Sequence, residues 1–265
     1  MIKLITCDLD GTVLDDEKNI DSELKEVVTK LKEKGILFTV ASGRSRELLL
    51  HILDYFNLVD IPYLCNNGAN IFKNDELIHV EAINSDYARD IAKMFHKEGI
   101  VFRMYALEDV YINGISDFFR ARMKGYTKPF IDYYPELNMD NIHVVKITAD
   151  LTNHNDLAEH FTKEISKFPN TVFTKAEDNI YCVNATKANK GDAVEWIANY
   201  LGIKMDEVMA FGDNENDLPM LKKAKVSVAV ENGEDYVKSL VTYVTKDNNH
   251  NGVSSFLKEY FKDIL

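Results

Sequence analysis

The apolar positions along the first 70 residues predict short buried strands that alternate with helices. Asp21 is a suitable N-cap, and apolar residues between 24 and 31 recur at the spacing of one helix face before Gly35 ends the pattern. Continuous apolar strands separated by helices are typical of a parallel sheet covered on both faces. The strands are predicted at 2–7, 36–41 and 63–65, and the helices at 21–35 and 45–56.

The pattern changes near residue 83, where strands follow one another more closely. A hairpin is predicted around the Asn74-Asp75 turn, and the residues after it alternate between paired strands and single helices. This arrangement indicates an inserted α+β domain over 84–185. Its strands are predicted at 101–105, 110–112, 143–148, 171–174 and 180–183, and its helices at 84–97 and 156–167.

The alternation of strands and helices returns after residue 187. Helices are predicted at 189–201 and 253–261, with strands at 207–211 and 226–230 between them. We therefore predict an α/β fold with a Rossmann-like parallel-sheet core. The core is discontinuous, spans 1–83 and 186–265, and carries the inserted domain.

Composition places the chain among globular proteins and excludes several classes. Of its 265 residues 46% are hydrophobic and 28% are charged, and the formal net charge is −12. No apolar run approaches the roughly 20 residues that span a bilayer, and the N-terminal residues do not resemble a signal peptide. The acidic balance argues against nucleic-acid binding, and three scattered cysteines suggest reduced thiols. We expect a cytoplasmic protein with no membrane, nucleic-acid or evident protein partner.

Polar residues follow four of the predicted core strands: Asp8 with Asp10, then Ser42, Asn67 and Asp213. In an open parallel sheet the carboxyl ends of the strands line one crevice, where ligands bind. These side chains are therefore expected to converge although they lie far apart in the sequence.

Asp8 and Asp10 are two residues apart, so an extended backbone would turn both carboxylates to the same side. Two neighbouring carboxylates can divide the work of nucleophile and proton donor. The alternative is a simple turn at the end of a strand, because Asp and Gly are common turn residues.

The segment 212–217 places three carboxylates within five residues after a strand. Mg²⁺ prefers oxygen ligands and needs only one or two protein carboxylates. A solvated acidic loop is the alternative. Lys190 could neutralise a transferring phosphoryl group, and Ser42 could donate a hydrogen bond to it. Taken singly, they are also compatible with a surface lysine and a helix cap.

Taken together and in this order, the motifs resemble the haloacid dehalogenase superfamily, and more narrowly its Cof-type sugar-phosphate phosphatases. The matching segments are Asp8-Leu9-Asp10-Gly11-Thr12, Ser42-Gly43-Arg44, Lys190-Gly191 and Gly212-Asp213-Asn214-Glu215-Asn216-Asp217. The turn at 66–69 and the stretch 247–253 are also similar. The chain departs from the family at Glu231, which adds a negative charge beside the retained Asn232.

The resemblance implies a role for each matching residue. Asp8 would attack phosphorus, and Asp10 would protonate the leaving group. The resemblance also implies a Mg²⁺ cofactor and an inserted cap of the C2B type over 84–185. The remaining implied roles are phosphate binding by Ser42, Gly43, Lys190 and Asn216, metal binding by Asp8, the Asp10 carbonyl, Asp213 and Asp217, and substrate contacts by Arg44 and Asn67.

These observations predict a Mg²⁺-dependent phosphatase that hydrolyses small phosphorylated metabolites, such as sugar phosphates, through an aspartyl phosphate. A phosphotransferase or phosphomutase on the same scaffold remains open, as does a non-enzymatic phospho-accepting switch. A switch needs neither Asp10 nor an insert of this size. In the insert, Arg120, Arg122, Lys124 and Lys128 form a cationic stretch that could attract anions or could be a solvated helix face.

Overall fold

The computed structural model describes residues 1–121 and 129–265, and the chain forms two compact units. The first unit comprises Met1–His79 and Asn189–Leu265, and the second comprises Val80–Ala188. These boundaries lie within a few residues of those expected from the sequence, 83/84 and 185/186.

A five-stranded parallel sheet forms the centre of the first unit. The order of its strands is β14-β13-β12-β1-β2, and every neighbouring pair is parallel. The strands are β1 (Leu4–Cys7), β2 (Leu37–Val40), β12 (Val208–Gly212), β13 (Val226–Val230) and β14 (Tyr243–Thr245). The central strands are fully buried, as expected for continuous apolar runs in a sheet covered on both faces.

The helices of the first unit place their apolar faces against this sheet. They are α1 (Leu24–Glu33), α2 (Leu50–Phe56), α6 (Lys190–Tyr200), α7 (Leu218–Lys223), α8 (Asp235–Lys238) and α9 (Gly252–Tyr260). The predicted face of α1 is buried. The predicted N-cap residue is wrong, because α1 begins only at Leu24. The Asp21 carboxylate accepts hydrogen bonds from the Glu23 and Ser254 amides.

A smaller three-stranded sheet adjoins β2. Its strands β3 (Tyr63–Cys65), β4 (Asn70–Lys73) and β5 (Glu76–Val80) lie in that order, and the last two form the predicted hairpin. A single parallel bridge between Ala41 and Leu64 connects it to the end of β2. The turn at 66–68 therefore lies next to the carboxyl end of β2.

The second unit has an α+β architecture. Its six-stranded sheet has the order β10-β11-β9-β6-β7-β8, and β7 with β8 is the parallel pair among otherwise antiparallel neighbours. Its helices α3 and α5 pack their apolar residues against one face. The elements are α3 (Ser85–Lys97), β6 (Val101–Ala106), β7 (Val110–Ile112), α4 (Asp117–Ala121), β8 (Phe130–Asp132), β9 (Val144–Asp150), α5 (Ala158–Ile165), β10 (Thr171–Glu177) and β11 (Ile180–Ala185).

The α/β prediction with an inserted α+β domain is confirmed. Of the predicted cationic stretch, Arg120 is exposed, whereas Arg122, Lys124 and Lys128 lie outside the described residues. No helix in the described part of the chain combines the length and the apolar character needed to cross a membrane.

Candidate active site

The carboxyl ends of β1 and β12 bring two of the predicted aspartates together. Cys7 is paired with Phe211 in the sheet, and the Asp8 amide donates a hydrogen bond to the Phe211 carbonyl. Asp8 and Asp213 therefore follow neighbouring strands directly, as the crevice rule for parallel sheets predicts.

Lys190 is the centre of a buried ion-pair network. Its Nζ lies 2.5 Å from Asp8 Oδ1 and 2.6 Å from Asp217 Oδ1. The side chains of Lys190 and Asp217 are fully buried, and that of Asp8 is 8% exposed. Burial opposes the charged form of the lysine, but the carboxylates of Asp217 and Asp8 keep the pKa of Lys190 above its ordinary value. Lys190 is thus a fixed positive charge beside Asp8.

Local structure explains why Lys190 reaches this position. Asn189 caps α6 by accepting a hydrogen bond from the Asp192 amide, so Lys190 occupies the first position of the helix. Gly191 allows α6 to approach α7 closely, since a Cβ at this position would lie 2.4 Å from the Pro219 carbonyl oxygen. The Lys-Gly pair therefore combines a cation with the small residue that its helix requires.

The Asp217 carboxylate organises the loop after β12. Its Oδ2 accepts hydrogen bonds from the amides of Asp213 at 2.9 Å and Asn214 at 3.1 Å, while its Oδ1 binds Lys190. Gly212 is needed for this turn because a Cβ there would lie 2.5 Å from that of Asp217. The segment 212–217 is therefore a folded, hydrogen-bonded turn around a buried carboxylate, not a solvated acidic loop.

Asp8, Asp213 and Asp217 form a three-carboxylate cluster in which one oxygen atom from each residue lies within 4.8 Å of the other two. Burial raises the pKa of Asp8 well above its ordinary value; Lys190 opposes this rise, and the other two carboxylates add to it. Burial and Asp217 raise the pKa of Asp213 to about 6. One ammonium group does not balance three carboxylates, so a divalent cation with oxygen ligands fits this donor set.

The Asp10 carboxylate binds different partners from those of Asp8. Arg44 holds it in a bidentate pair, with Nε and Nη2 at 2.7 and 2.6 Å, and Lys18 Nζ lies 3.0 Å away. Burial alone would raise the pKa of Asp10, but the Arg44 and Lys18 hydrogen bonds and charges hold it below its ordinary value. These contacts favour the ionised form of Asp10.

The predicted phosphate-binding residues lie at the end of β2 and beside it. Ser42 is buried and its Oγ accepts a hydrogen bond from the Arg44 amide at 3.1 Å. Asn67 Oδ1 accepts a hydrogen bond from Asn216 Nδ2 at 3.1 Å. A Cβ on Gly43 would lie only 2.8 Å from the same oxygen. The structure thus brings the second motif, the 66–68 turn and the fourth motif to one edge of the sheet.

Two contacts near the site were not predicted from the sequence. Lys18 reaches Asp10 because residues 15–19 form a tight turn in which Lys18 has a positive φ of 68°. Asn232 Nδ2 donates to the Gly11 carbonyl at 2.8 Å. For Lys18 no sequence signal is evident, because its position depends on the turn. For Asn232 the similarity to the family at this position was the available signal.

Comparison with known proteins agrees with this geometry. The profile of the haloacid dehalogenase-like hydrolases matches residues 5–257, almost the whole chain. The chain belongs to this hydrolase family. The match includes all the motif residues that form the site.

Several named proteins and solved structures are similar to this chain. The chain is 25% identical over 260 residues to a 5-amino-6-(5-phospho-D-ribitylamino)uracil phosphatase of Bacillus subtilis, covering 98% of this chain and 96% of the relative. A solved structure from Thermotoga maritima has a TM-score of 0.84 at 25% identity, covering 98% and 97% of the two chains. The structure of a subclass IIB sugar phosphatase of the superfamily has a TM-score of 0.84 at 25% identity, and the match covers 99% of this chain and 100% of the phosphatase.

The family and these relatives confirm the prediction of an enzyme of the haloacid dehalogenase phosphatase group. The cofactor, the covalent intermediate, the substrate and the roles of single residues remain predictions at this point.

Proposed function

We propose that this protein is a Mg²⁺-dependent phosphatase that hydrolyses small phosphorylated metabolites through a phosphoryl group carried on Asp8. The observation that supports this most strongly is the network in which Lys190 is buried between Asp8 and Asp217, beside Asp213. A buried carboxylate at a strand end beside a fixed cation is the arrangement that a carboxylate nucleophile for a phosphate ester needs.

Mg²⁺ would be held by Asp8, the backbone carbonyl of Asp10 and Asp213, with Asp217 acting through water. The chemistry that a bound Mg²⁺ supplies is neutralisation of charge on the phosphoryl oxygens and of repulsion among the carboxylates. Thr12 keeps the Asp213 carboxylate in place with a 2.9 Å hydrogen bond from its hydroxyl. Metal ligands commonly need such support from neighbouring groups.

In the first step Asp8 attacks phosphorus and the bond from phosphorus to the ester oxygen breaks. Asp10 gives its proton to the departing alcohol oxygen. In the second step a water oxygen attacks phosphorus, Asp10 takes a proton from that water, and the bond from phosphorus to Asp8 breaks. Phosphate leaves, and both aspartates return to their starting states.

The partners of Asp10 suggest how it becomes protonated. Its pairing with Arg44 and Lys18 suits the ionised form, which is the form required of the base in the second step. For the first step Asp10 must hold a proton, which it would take up from solvent once Arg44 has left it for an anionic or hydroxyl group of the substrate. Arg44 and Asn67 would therefore contact the substrate, as their place at the end of β2 and β3 permits.

The transferring oxygens would be bound by the Ser42 hydroxyl, the Gly43 amide, Lys190 and Asn216. The segment 84–185, which lies within the second unit, would act as the cap that selects the leaving group and excludes water. A sugar phosphate or a similar small phosphate ester is the proposed substrate class, supported by the names of two relatives. We also propose a cytoplasmic location.

The decisive experiment measures phosphate release from an aryl phosphate and a panel of sugar phosphates. Wild type and Asp8→Asn are compared, each with Mg²⁺ and with excess chelator. We expect turnover only by the wild type with Mg²⁺. Equal turnover by both proteins would show that Asp8 is not the nucleophile. No turnover by a folded wild type, followed by activity once acceptor sugars are added, would identify a phosphotransferase instead.

A further inference from the structure

Asn232 connects the loop after the nucleophile to the C-terminal part of the chain. Its Nδ2 donates to the Gly11 carbonyl at 2.8 Å, and its Oδ1 accepts from the Asn248 amide at 3.0 Å. Each end of the side-chain amide therefore has a backbone partner, and the two partners lie more than 230 residues apart in the sequence.

The backbone at Gly11 has a left-handed conformation and lies close to Asp213. Gly11 has a φ of +84°, which L side chains rarely adopt, and a Cβ there would lie 2.7 Å from Asp213 Oδ2. Gly11 separates Asp10, whose carbonyl is a proposed metal ligand, from Thr12, whose hydroxyl holds Asp213. The orientation of the Gly11 peptide therefore influences two of the groups proposed to surround the metal.

Asn248 determines which way the Asn232 amide faces. An amide oxygen accepts and an amide nitrogen donates, so the backbone N–H of Asn248 selects the oxygen and leaves the nitrogen for Gly11. Asn248 is itself 5% exposed, and its Nδ2 donates to the Leu14 carbonyl at 2.9 Å. The orientation of Asn232 is thus fixed by a residue that is also bound to the same loop.

We propose that Asn232 is a positioning residue for the metal site, oriented by Asn248. It holds the Gly11 peptide so that the Asp10 carbonyl and Thr12 keep the positions that cation binding requires. This inference rests on the proposed Mg²⁺ site. It adds that part of the metal affinity comes from a residue that does not touch the metal.

The test is Asn232→Asp, which keeps the shape of the side chain. One carboxylate oxygen would accept from Asn248, but the other would face the Gly11 carbonyl, which offers no proton. Supporting residues of metal sites typically contribute about 10–100-fold in affinity. We therefore expect the substrate-free protein to bind Mg²⁺ and Mn²⁺ about 10–100-fold more weakly. Titration calorimetry measures both ions, and electron paramagnetic resonance measures free Mn²⁺.

The change in charge makes this expectation specific. A new negative charge near the cluster should by itself strengthen cation binding, so weaker binding would reflect lost geometry. Asn249→Asp is the matched control, because Asn249 pairs with the exposed Asp16 and does not contact Gly11. Its affinity for Mn²⁺ should stay within about twofold of the wild-type value.

Unchanged or tighter binding by Asn232→Asp, with wild-type binding intact, would overturn the inference. Absence of Mg²⁺ and Mn²⁺ binding by the wild type would instead overturn the proposed metal site. Asn232→Ala covers the case in which the aspartate variant does not fold, and it should weaken Mn²⁺ binding in the same direction. With saturating Mg²⁺, both Asn232 variants should recover most of kcat.

Discussion

Each unit of the molecule contains a fully buried cation, and the two are surrounded very differently. Lys190 in the first unit touches the carboxylates of Asp8 and Asp217. Arg103 in the second unit lies 4.4 and 5.0 Å from the ring centres of Phe119 and Phe130, and donates to the Phe119 carbonyl at 2.6 Å. Within the described residues, its Nε has no hydrogen-bond partner.

The difference shows two ways to bury a positive charge. Aromatic faces and a carbonyl oxygen stabilise a guanidinium without adding a charged partner, which suits a packing role. A lysine among carboxylates leaves net negative charge in a buried place, which is costly unless another cation joins it. We therefore associate Lys190 with chemistry and Arg103 with the stability of its unit.

The largest expected effect comes from Lys190→Met. This change leaves buried carboxylates without their ammonium partner, which commonly destabilises a protein by about 3–5 kcal/mol. Loss of a fixed charge that stabilises the transition state should lower kcat by about 10³-fold. Urea denaturation and phosphate release measure the two effects. Activity near the wild-type level in a folded variant would remove Lys190 from the mechanism.

A smaller and different effect is expected from Arg103→Met. The variant loses two aromatic contacts and one hydrogen bond, so the free energy of unfolding should fall by about 1–3 kcal/mol. Hydrolysis of an aryl phosphate should change by less than about threefold at a temperature where the variant is folded. If kcat instead falls as far as in Lys190→Met, the comparison between the two cations fails and Arg103 takes part in the reaction.

The residues that meet around Lys190 were easier to predict from the sequence than the loop contacts near them. Asp8 and Lys190 are 182 residues apart; the position of Asp8 at the end of a parallel strand pointed to the site, and the order of the motifs in the family resemblance added Lys190. The buried strands β1 and β13 were found because their apolar runs are continuous. The edge strand β14 was not predicted, because it has three residues and both Tyr243 and Val244 are exposed.

Contacts that depend on loop geometry could not be predicted in this way. The reach of Lys18 to Asp10 follows from a left-handed residue in a tight turn, and the Asn232 contact follows from the path of two distant loops. Neither contact produces a periodic pattern of apolar residues that could be recognised in the sequence. The Arg103 environment was also not predicted, because its position on a strand does not reveal which rings cover it.

The smallest effect expected is a pH dependence that arises in the cluster around Lys190. The pKa of Asp213 is raised to about 6 by burial and by Asp217, and that of Asp8 is also raised. The unfolded values are near 3.9. Between these values the folded, metal-free protein binds more protons than the unfolded chain, so this contribution to stability falls as pH rises from about 4 to 6.

Mg²⁺ should reverse that loss because it binds the ionised carboxylates of the folded state. The rise in Tm on adding Mg²⁺ should therefore be larger near pH 7.5 than near pH 5, and thermal denaturation at both pH values measures it. Asp213→Asn removes a group that both titrates and is a proposed Mg²⁺ ligand, so the Mg²⁺ shift and its difference between the two pH values should both shrink. An equal Mg²⁺ shift at both pH values would mean that protons and the cation do not compete for this cluster. The contrast with Arg103, whose described contacts are two aromatic rings and a carbonyl oxygen, would then lose its electrostatic basis.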